Sequence, residues 1–130
     1  MERAKLAELY TQNNLQESDM FSLKMGGKSI PIIKREGIER IQAHNKIKIT
    51  YDLVWFSDDH KYAIVKAFAI MGEQTIETFG EVSPANSSNK YPIAIAEKRA
   101  LSRAVLKLAG FYAEGAFGED EADEFKPEKK

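Results

Sequence analysis

The chain has 130 residues, no cysteine and a formal net charge of −1. This length accommodates one domain with a modest core, and the missing cysteine excludes disulfides, thiol nucleophiles and Cys-based zinc sites. No apolar run approaches the roughly 20 residues that span a bilayer, and the first residues lack the apolar core of a secretory signal. We therefore expect a cytoplasmic protein without a membrane span.

The first third of the sequence predicts a short helix followed by a hairpin. Residues 2–10 combine good helix formers with apolar positions at helical spacing. The stretch "MFSLKMGGKSIPIIK" alternates around Gly26-Gly27, which supplies the positive φ angles of a tight hairpin turn. Pro31 has no N–H to donate to a sheet, so we expect the second arm at an edge or irregular.

The middle third predicts a short helix and three strands. "REGIERIQAHN" has helical spacing and ends at Asn45, a residue that tolerates a left-handed cap. "KIKITYDLVWF", "YAIVKAFAIM" and "QTIETFGEV" alternate like strands. The turns between them are too short for parallel crossovers, so the strands predict an antiparallel meander with the second strand in the centre.

A long helix is predicted from about Tyr91 to Ala109, ending before Gly110. At about 100° per residue its apolar positions share one face, which we expect to lie on the sheet. Glu97 falls within that face, where the nearby helix N-terminus favours its negative charge. The alternative is a pair with Lys66 or with a cation of a neighbouring subunit. The positions predicted to be buried are Ile93, Ala94, Ala100, Leu101, Ala104, Val105 and Leu108.

This helix carries four cations and a single carboxylate, that of Glu97. The cations are Lys98, Arg99, Arg103 and Lys107. Like charges at i, i+4 repel by a few tenths of a kcal/mol per pair, and no acid on the same helix offsets them. The helix dipole accounts for a cation in the last turn but not for those near the start. We therefore expect this cationic stripe to face a polyanion.

The sheet adds further candidates for contacts with nucleic acid. Lysines beside the stripe would hold phosphates, and aromatic rings would stack on unpaired bases, although alternating aromatics more often belong to a core. The added lysines are Lys46, Lys48, Lys66 and Lys90, and the candidate stacking residues are Tyr51, Trp55, Phe56 and Tyr62. We expect no catalytic residue, metal or cofactor.

Charge divides the chain near residue 113. Residues 1–113 contain 16 Lys/Arg and 13 Asp/Glu, whereas residues 114–130 contain 3 and 7. We predict a single α+β domain over residues 1–113, with its core at about 30–112, and a flexible acidic tail over residues 114–130. The tail is a candidate site for a protein partner.

The stretches "IPIIKREGIERIQAHNKIKITYDLVWF" and "YPIAIAEKRALSRAVLKLAGFY" resemble the core of the single-strand DNA annealing proteins. That superfamily includes the phage Erf and Red-beta recombinases and the eukaryotic Rad-type annealing mediator. The resemblance covers about residues 30–112 and depends on the order of elements. It implies a homo-oligomeric ring or helix that binds single-stranded DNA and anneals complementary strands without nucleotide hydrolysis, in a bacterial or phage-infected cell.

The sequence is also compatible with three other functions. The order of one helix, three strands and one helix is also that of a double-stranded-RNA-binding domain, with Lys90, Lys98 and Arg99 facing phosphates. The acidic tail suits a protein-interaction module. A metal-dependent nuclease would need convergent carboxylates, but those of the chain have no recognisable spacing.

Overall fold

A computed structural model describes residues 2–84 and 91–122, and these form an α+β fold as the sequence predicts. The regular structure of the described residues consists of two three-stranded sheets, four α-helices and two short 3₁₀ helices, Glu17–Asp19 and Tyr112–Glu114. The helices are α1 (Glu2–Gln12), α2 (Arg35–His44), α3 (Pro92–Leu108) and α4 (Glu119–Ala122). The strands are β1 (Met20–Met25), β2 (Lys28–Ile33), β3 (Lys48–Phe56), β4 (Ala63–Met71), β5 (Gln74–Val82) and β6 (Phe117–Gly118).

The first sheet, called here the hairpin sheet, has the order β1-β2-β6. Gly26 and Gly27 have φ angles of 56° and 81°, which confirms the predicted tight turn. β2 is the middle strand, so the expectation that Pro31 holds it at an edge is wrong. β6 pairs in parallel with Ile32 and Ile33 only, just beyond the proline, so the missing N–H is not needed there.

The second sheet, called here the meander sheet, is antiparallel with the order β3-β4-β5, and β4 is central as predicted. The turn before β4 is held by side chains: Ser57 Oγ accepts from the N–H of Tyr62 (3.0 Å) and donates to Asp59 (2.6 Å). That hydrogen bond lowers the pKa of the Asp59 carboxyl. A bulge at Val54 shifts the pairing between Leu53 and Trp55, so the last two residues of β3 change sides relative to a regular strand.

Helix α3 lies very close to β5 because a glycine leaves room for its backbone. A Cβ at Gly80 would stand 1.9 Å from the carbonyl oxygen of Ala96 and 2.6 Å from the amide nitrogen of Ala100. Beside it, buried Thr78 donates its hydroxyl to the Ala100 carbonyl at 2.8 Å. Small side chains therefore set the distance between the helix and the sheet.

The predicted buried face of α3 is partly wrong. Ile93, Ala94 and Glu97 are exposed, whereas Arg99 and Ser102 are buried. The helix has the meander sheet on one side, while α2 and β6 pack against it from another. Because two sides are covered, the buried part of the helix is wider than a single apolar stripe and includes polar residues.

The chain after residue 113 is structured where it is described. Ala116 is fully buried, β6 pairs with β2, and α4 follows directly. The prediction of a flexible acidic tail over residues 114–130 is therefore wrong for residues 114–122. Residues 123–130 lie outside the described part. We call residues 116–122 the acidic segment.

Within the described ranges, no helix combines the length and the apolar composition required to cross a membrane.

Candidate nucleic-acid interface

The two faces of the meander sheet carry different side chains. Residues paired across antiparallel strands point to the same side of the sheet, so the register assigns each residue to one face. Ala63, Val65, Ala67 and Ala69 of β4 are buried and face α3. The alternate residues of β4 are half-buried and point the other way. Among the described elements only α3 makes extensive contact with this sheet, so the opposite side, called here the open face, is left to solvent.

Large rings stand on the open face. Trp55 is 49% exposed and pairs across the strands with Ile64, and Phe79 is 46% exposed and pairs with Lys66. Tyr62 lies against Trp55 with ring centroids 5.8 Å apart. The residues assigned to the open face by the pairing are Lys48, Thr50, Asp52, Trp55, Ile64, Lys66, Phe68, Ile70, Thr75, Glu77, Phe79 and Glu81.

Charge on the open face is mixed. Of the predicted phosphate contacts, Lys48 and Lys66 lie here, and Lys48 has no ion-pair partner among the described residues. Lys66 Nζ is 3.7 Å from Glu77, and Glu81 is paired with Arg103 at 2.9 Å. The two lysines of the face stand beside three carboxylates, those of Asp52, Glu77 and Glu81. The face therefore offers aromatic surface without a net positive charge, and stacking is its main means of attracting a base.

The four predicted stacking residues separate into two groups. Trp55 and Tyr62 belong to the open face, whereas Tyr51 and Phe56 lie on the helix side of β3. Tyr51 and Trp55 are exposed, so the interpretation that they belong to the core is wrong for both. α3 covers β4 and β5 more than β3, which leaves the helix side of β3 partly open.

A shallow pocket of about 440 Å³ lies beside Phe56 at the start of α3, and Glu97 is one of its lining residues. Tyr51 is 37% exposed, and the burial of the rest of this residue, followed by the negative charge of Glu97, raises the pKa of its hydroxyl to about 12. Lys66 points to the open face instead and pairs with Glu77, so the expected Lys66–Glu97 pair is wrong. None of the described cations forms an ion pair with Glu97.

The expectation that Arg99 and Arg103 are unpaired is also wrong. Arg99 is 2% exposed, and its guanidinium donates to the carbonyl oxygens of Glu81 (2.9 Å) and Asp120 (3.2 Å). Arg103 forms ion pairs with Glu81 and Glu121, both at 2.9 Å. The acids that pair with Arg103 and the carbonyls that accept from Arg99 come from β5 and from the acidic segment, which a helical-wheel analysis of α3 alone does not include.

This pairing changes the titration of its members. Burial by itself lowers the pKa of the Arg103 guanidinium, but hydrogen bonds to Glu121 and Glu81 outweigh it and the net change is upward. Burial and a hydrogen bond to Glu121 raise the pKa of Tyr112. Glu121 therefore stabilises the protonated forms of both Arg103 and Tyr112.

The remaining predicted cations are dispersed. Lys98 and Lys107 lie on α3 without an ion-pair partner among the described residues, Lys98 partly buried and Lys107 exposed. Lys46 precedes β3 in a left-handed conformation (φ 54°), which takes the place of the left-handed cap expected at Asn45. Lys90 lies outside the described residues.

Sequence reasoning missed Phe68 and Phe79 as members of an exposed aromatic face. The alternation of β4 and β5 contained that signal, because Phe68 and Phe79 fall opposite to the alanines and Gly80 that receive α3. Assigning the faces required knowing which side the helix covers.

The described residues contain no group of three or more His, Asp or Glu side chains arranged to hold a metal ion. Comparisons with protein-family models, with curated proteins and with solved structures find no match for this chain.

Proposed function

We propose that this protein binds single-stranded DNA on the open face of the meander sheet and anneals complementary strands in phage-type recombination. The observation that carries the proposal is the set of exposed rings on a sheet face, with Trp55 49% and Phe79 46% exposed. Rings that remain this exposed contribute little to the core. They offer flat surfaces that bases of any sequence can stack on.

The order of elements supports the same proposal. A short helix, a three-stranded meander and a long basic helix follow one another as the resemblance to annealing proteins implies. Stacking leaves the Watson–Crick edges of bases accessible, so a strand held in this way can still pair with its complement. Lys48 and Lys66 at the face provide contacts for phosphates.

A binding titration with a labelled oligonucleotide tests the assignment of the face. Replacing Trp55 or Phe79 by alanine should weaken binding about tenfold, since a stacked base contributes roughly 1–3 kcal/mol. Trp55→Phe and Phe79→Tyr keep a ring and should retain most of the affinity. Ile93→Ala, an exposed apolar position on α3, is the control. Affinity unchanged in both alanine variants would contradict the assignment.

The same samples test annealing. Complementary oligonucleotides carrying a fluorophore and a quencher should pair faster with the parent protein than without protein, and without added nucleotide. The variants that lose binding should lose this acceleration in proportion. If the protein binds single-stranded DNA but does not accelerate pairing, it is a single-strand binding protein and the proposed annealing activity is wrong.

Self-association belongs to this proposal because one short sheet can hold only a few nucleotides. The outer edge of β3 pairs with no described strand, and Leu53 (53% exposed) and Val54 lie on this strand. An unpaired strand with exposed apolar residues favours contact with another chain. Light scattering should give a multiple of the monomer mass, and Leu53→Lys with Val54→Lys should lower it. A monomer with and without oligonucleotide would contradict self-association.

A further inference from the structure

The acidic segment places carboxylates on groups that bind anions. Glu119 Oε1 accepts the backbone N–H of Arg35, at the start of α2, at 2.7 Å. Asp120 accepts from the Ser102 hydroxyl at 3.2 Å and lies 3.5 Å from the Arg35 guanidinium. A helix N-terminus, an arginine and a serine hydroxyl are donors that also contact phosphates of nucleic acid backbones.

The third carboxylate of the acidic segment, that of Glu121, is also hydrogen-bonded to an arginine. Glu121, only 5% exposed, accepts from Arg103 Nε at 2.9 Å and from the Tyr112 hydroxyl. The preceding carbonyl, that of Asp120, accepts from Arg99 at 3.2 Å. Three consecutive acidic residues therefore bind to separate donors along one surface, as the charges of a polyanion do.

This surface borders the open face. Arg103 also donates to the carbonyl oxygen of Phe79 and to the carboxylate of Glu81, and Arg99 donates to the Glu81 carbonyl at 2.9 Å. Both arginines therefore line the outer edge of β5, on the strand that carries the exposed ring of Phe79. Of the two, Arg103 is partly exposed at this edge and Arg99 is 2% exposed.

The regular structure that holds the acidic segment is short. β6 contributes two residues to the hairpin sheet and α4 has four residues, too few for a helix that is stable alone. The charged contacts therefore add to the packing of buried Ala116 and Gly118 in attaching the segment, and a competing polyanion offers the arginines an alternative set of acceptors.

We propose that the acidic segment competes in cis with nucleic acid: its carboxylates occupy Arg35 and Arg103, its backbone covers Arg99, and the sugar-phosphate backbone of bound single-stranded DNA displaces the segment. This inference depends on the proposed function, because it names further residues of the same binding surface. In the free protein the segment neutralises the arginines. In the complex phosphates take its place, so affinity depends on the strength of the contacts of Glu119, Asp120 and Glu121.

The test is a full-length variant with Glu119→Gln, Asp120→Asn and Glu121→Gln, compared with the parent in oligonucleotide titrations at several salt concentrations. We expect binding about tenfold tighter, since less of the protein is held in the occupied state. We also expect a steeper salt dependence, because in the parent complex the displaced carboxylates take up cations and offset part of the counterion release from the DNA.

A matched control separates this effect from the general change in net charge. Glu8→Gln, Glu39→Gln and Glu73→Gln remove the same number of carboxylates at exposed positions. Equal affinity and equal salt slope in the two triple variants would overturn the inference while leaving the proposed function intact. Absence of binding in the parent and in both variants would overturn the proposed function itself.

Hydrogen exchange on the parent protein supplies a readout that needs no variant and therefore does not depend on variant folding. The N–H groups of residues 117–121 should exchange faster when the protein is saturated with oligonucleotide, although binding usually slows exchange. Slower or unchanged exchange in residues 117–121 of the saturated complex would overturn the displacement.

Discussion

The two faces of the meander sheet reverse the usual relation between size and burial. Where α3 comes closest, the covered face consists of Thr78, Gly80 and the alanines of β4, with valines beside them, and the open face carries tryptophan, phenylalanine and isoleucine. Small residues on the covered face allow the helix backbone to approach within contact distance of β5. Large residues on the open face contribute little to that packing. The covered face therefore determines stability and the open face remains available for binding.

The largest effect on stability is expected from a substitution that disrupts the packing of α3 on the covered face. Gly80→Ala places a methyl group against the backbone of Ala96, which cannot move independently of the helix. We expect a loss of about 3 kcal/mol in the free energy of unfolding, the upper part of the range for overpacking. Denaturant titration measures it. Thr75→Ala, in the same strand but on the open face, should change the value by less than about 0.5 kcal/mol.

A smaller effect is expected at the neighbouring position. Thr78→Val keeps the shape of the side chain and removes the buried hydrogen bond to the Ala100 carbonyl. The expected cost is about 1 kcal/mol, the usual net value of one such bond. The same substitution at exposed Thr50 on β3 is the control. Equal losses at Thr78 and Thr50 would contradict the difference between the faces.

The smallest effect concerns the partly open helix side of β3. The raised pKa of Tyr51, about 12 against an ordinary value of 10.0, has burial as its first cause and Glu97 as its second. Glu97→Gln should therefore lower this pKa by part of the shift and leave the part due to burial. Alkaline absorbance titration of each protein against its own Tyr51→Phe derivative isolates the residue. Glu73→Gln should leave the pKa unchanged.

The sign of the accompanying stability change follows from the same pKa. The folded protein retains the Tyr51 proton more strongly than the unfolded chain, so this contribution to stability is complete below pH 10 and is lost as pH rises through 12. Tyr51→Phe should reduce the loss of stability over that interval. An unchanged alkaline profile would show that Tyr51 has the same pKa in both states.

The local elements of this fold were predictable from the sequence, and the partners of its charged residues were not. The Gly26-Gly27 turn, the three strands and the end of α3 near Gly110 depend on neighbouring residues, and the structure confirms them. The partners of Arg99 and Arg103 lie 18 to 24 positions away in sequence, on β5 and on the acidic segment. Helical periodicity contains no information about such contacts.

The acidic segment shows the same limit. Its composition is typical of a solvated tail, but the buried residues Ala116 and Glu121 fix it to the domain. Glu121 is buried because Arg103 and Tyr112 supply its hydrogen bonds, an arrangement that becomes visible only when α3 and residues 112–121 are placed together.

The most direct test of the open face uses the protein's own fluorescence, because Trp55 is the single tryptophan of the chain and stands on that face. Titration with single-stranded DNA should quench the Trp55 emission to a saturating level, with a midpoint equal to that of the anisotropy change of a labelled oligonucleotide. Anisotropy that reports binding while the Trp55 emission stays constant would contradict the account, because the strand would then lie elsewhere on the molecule.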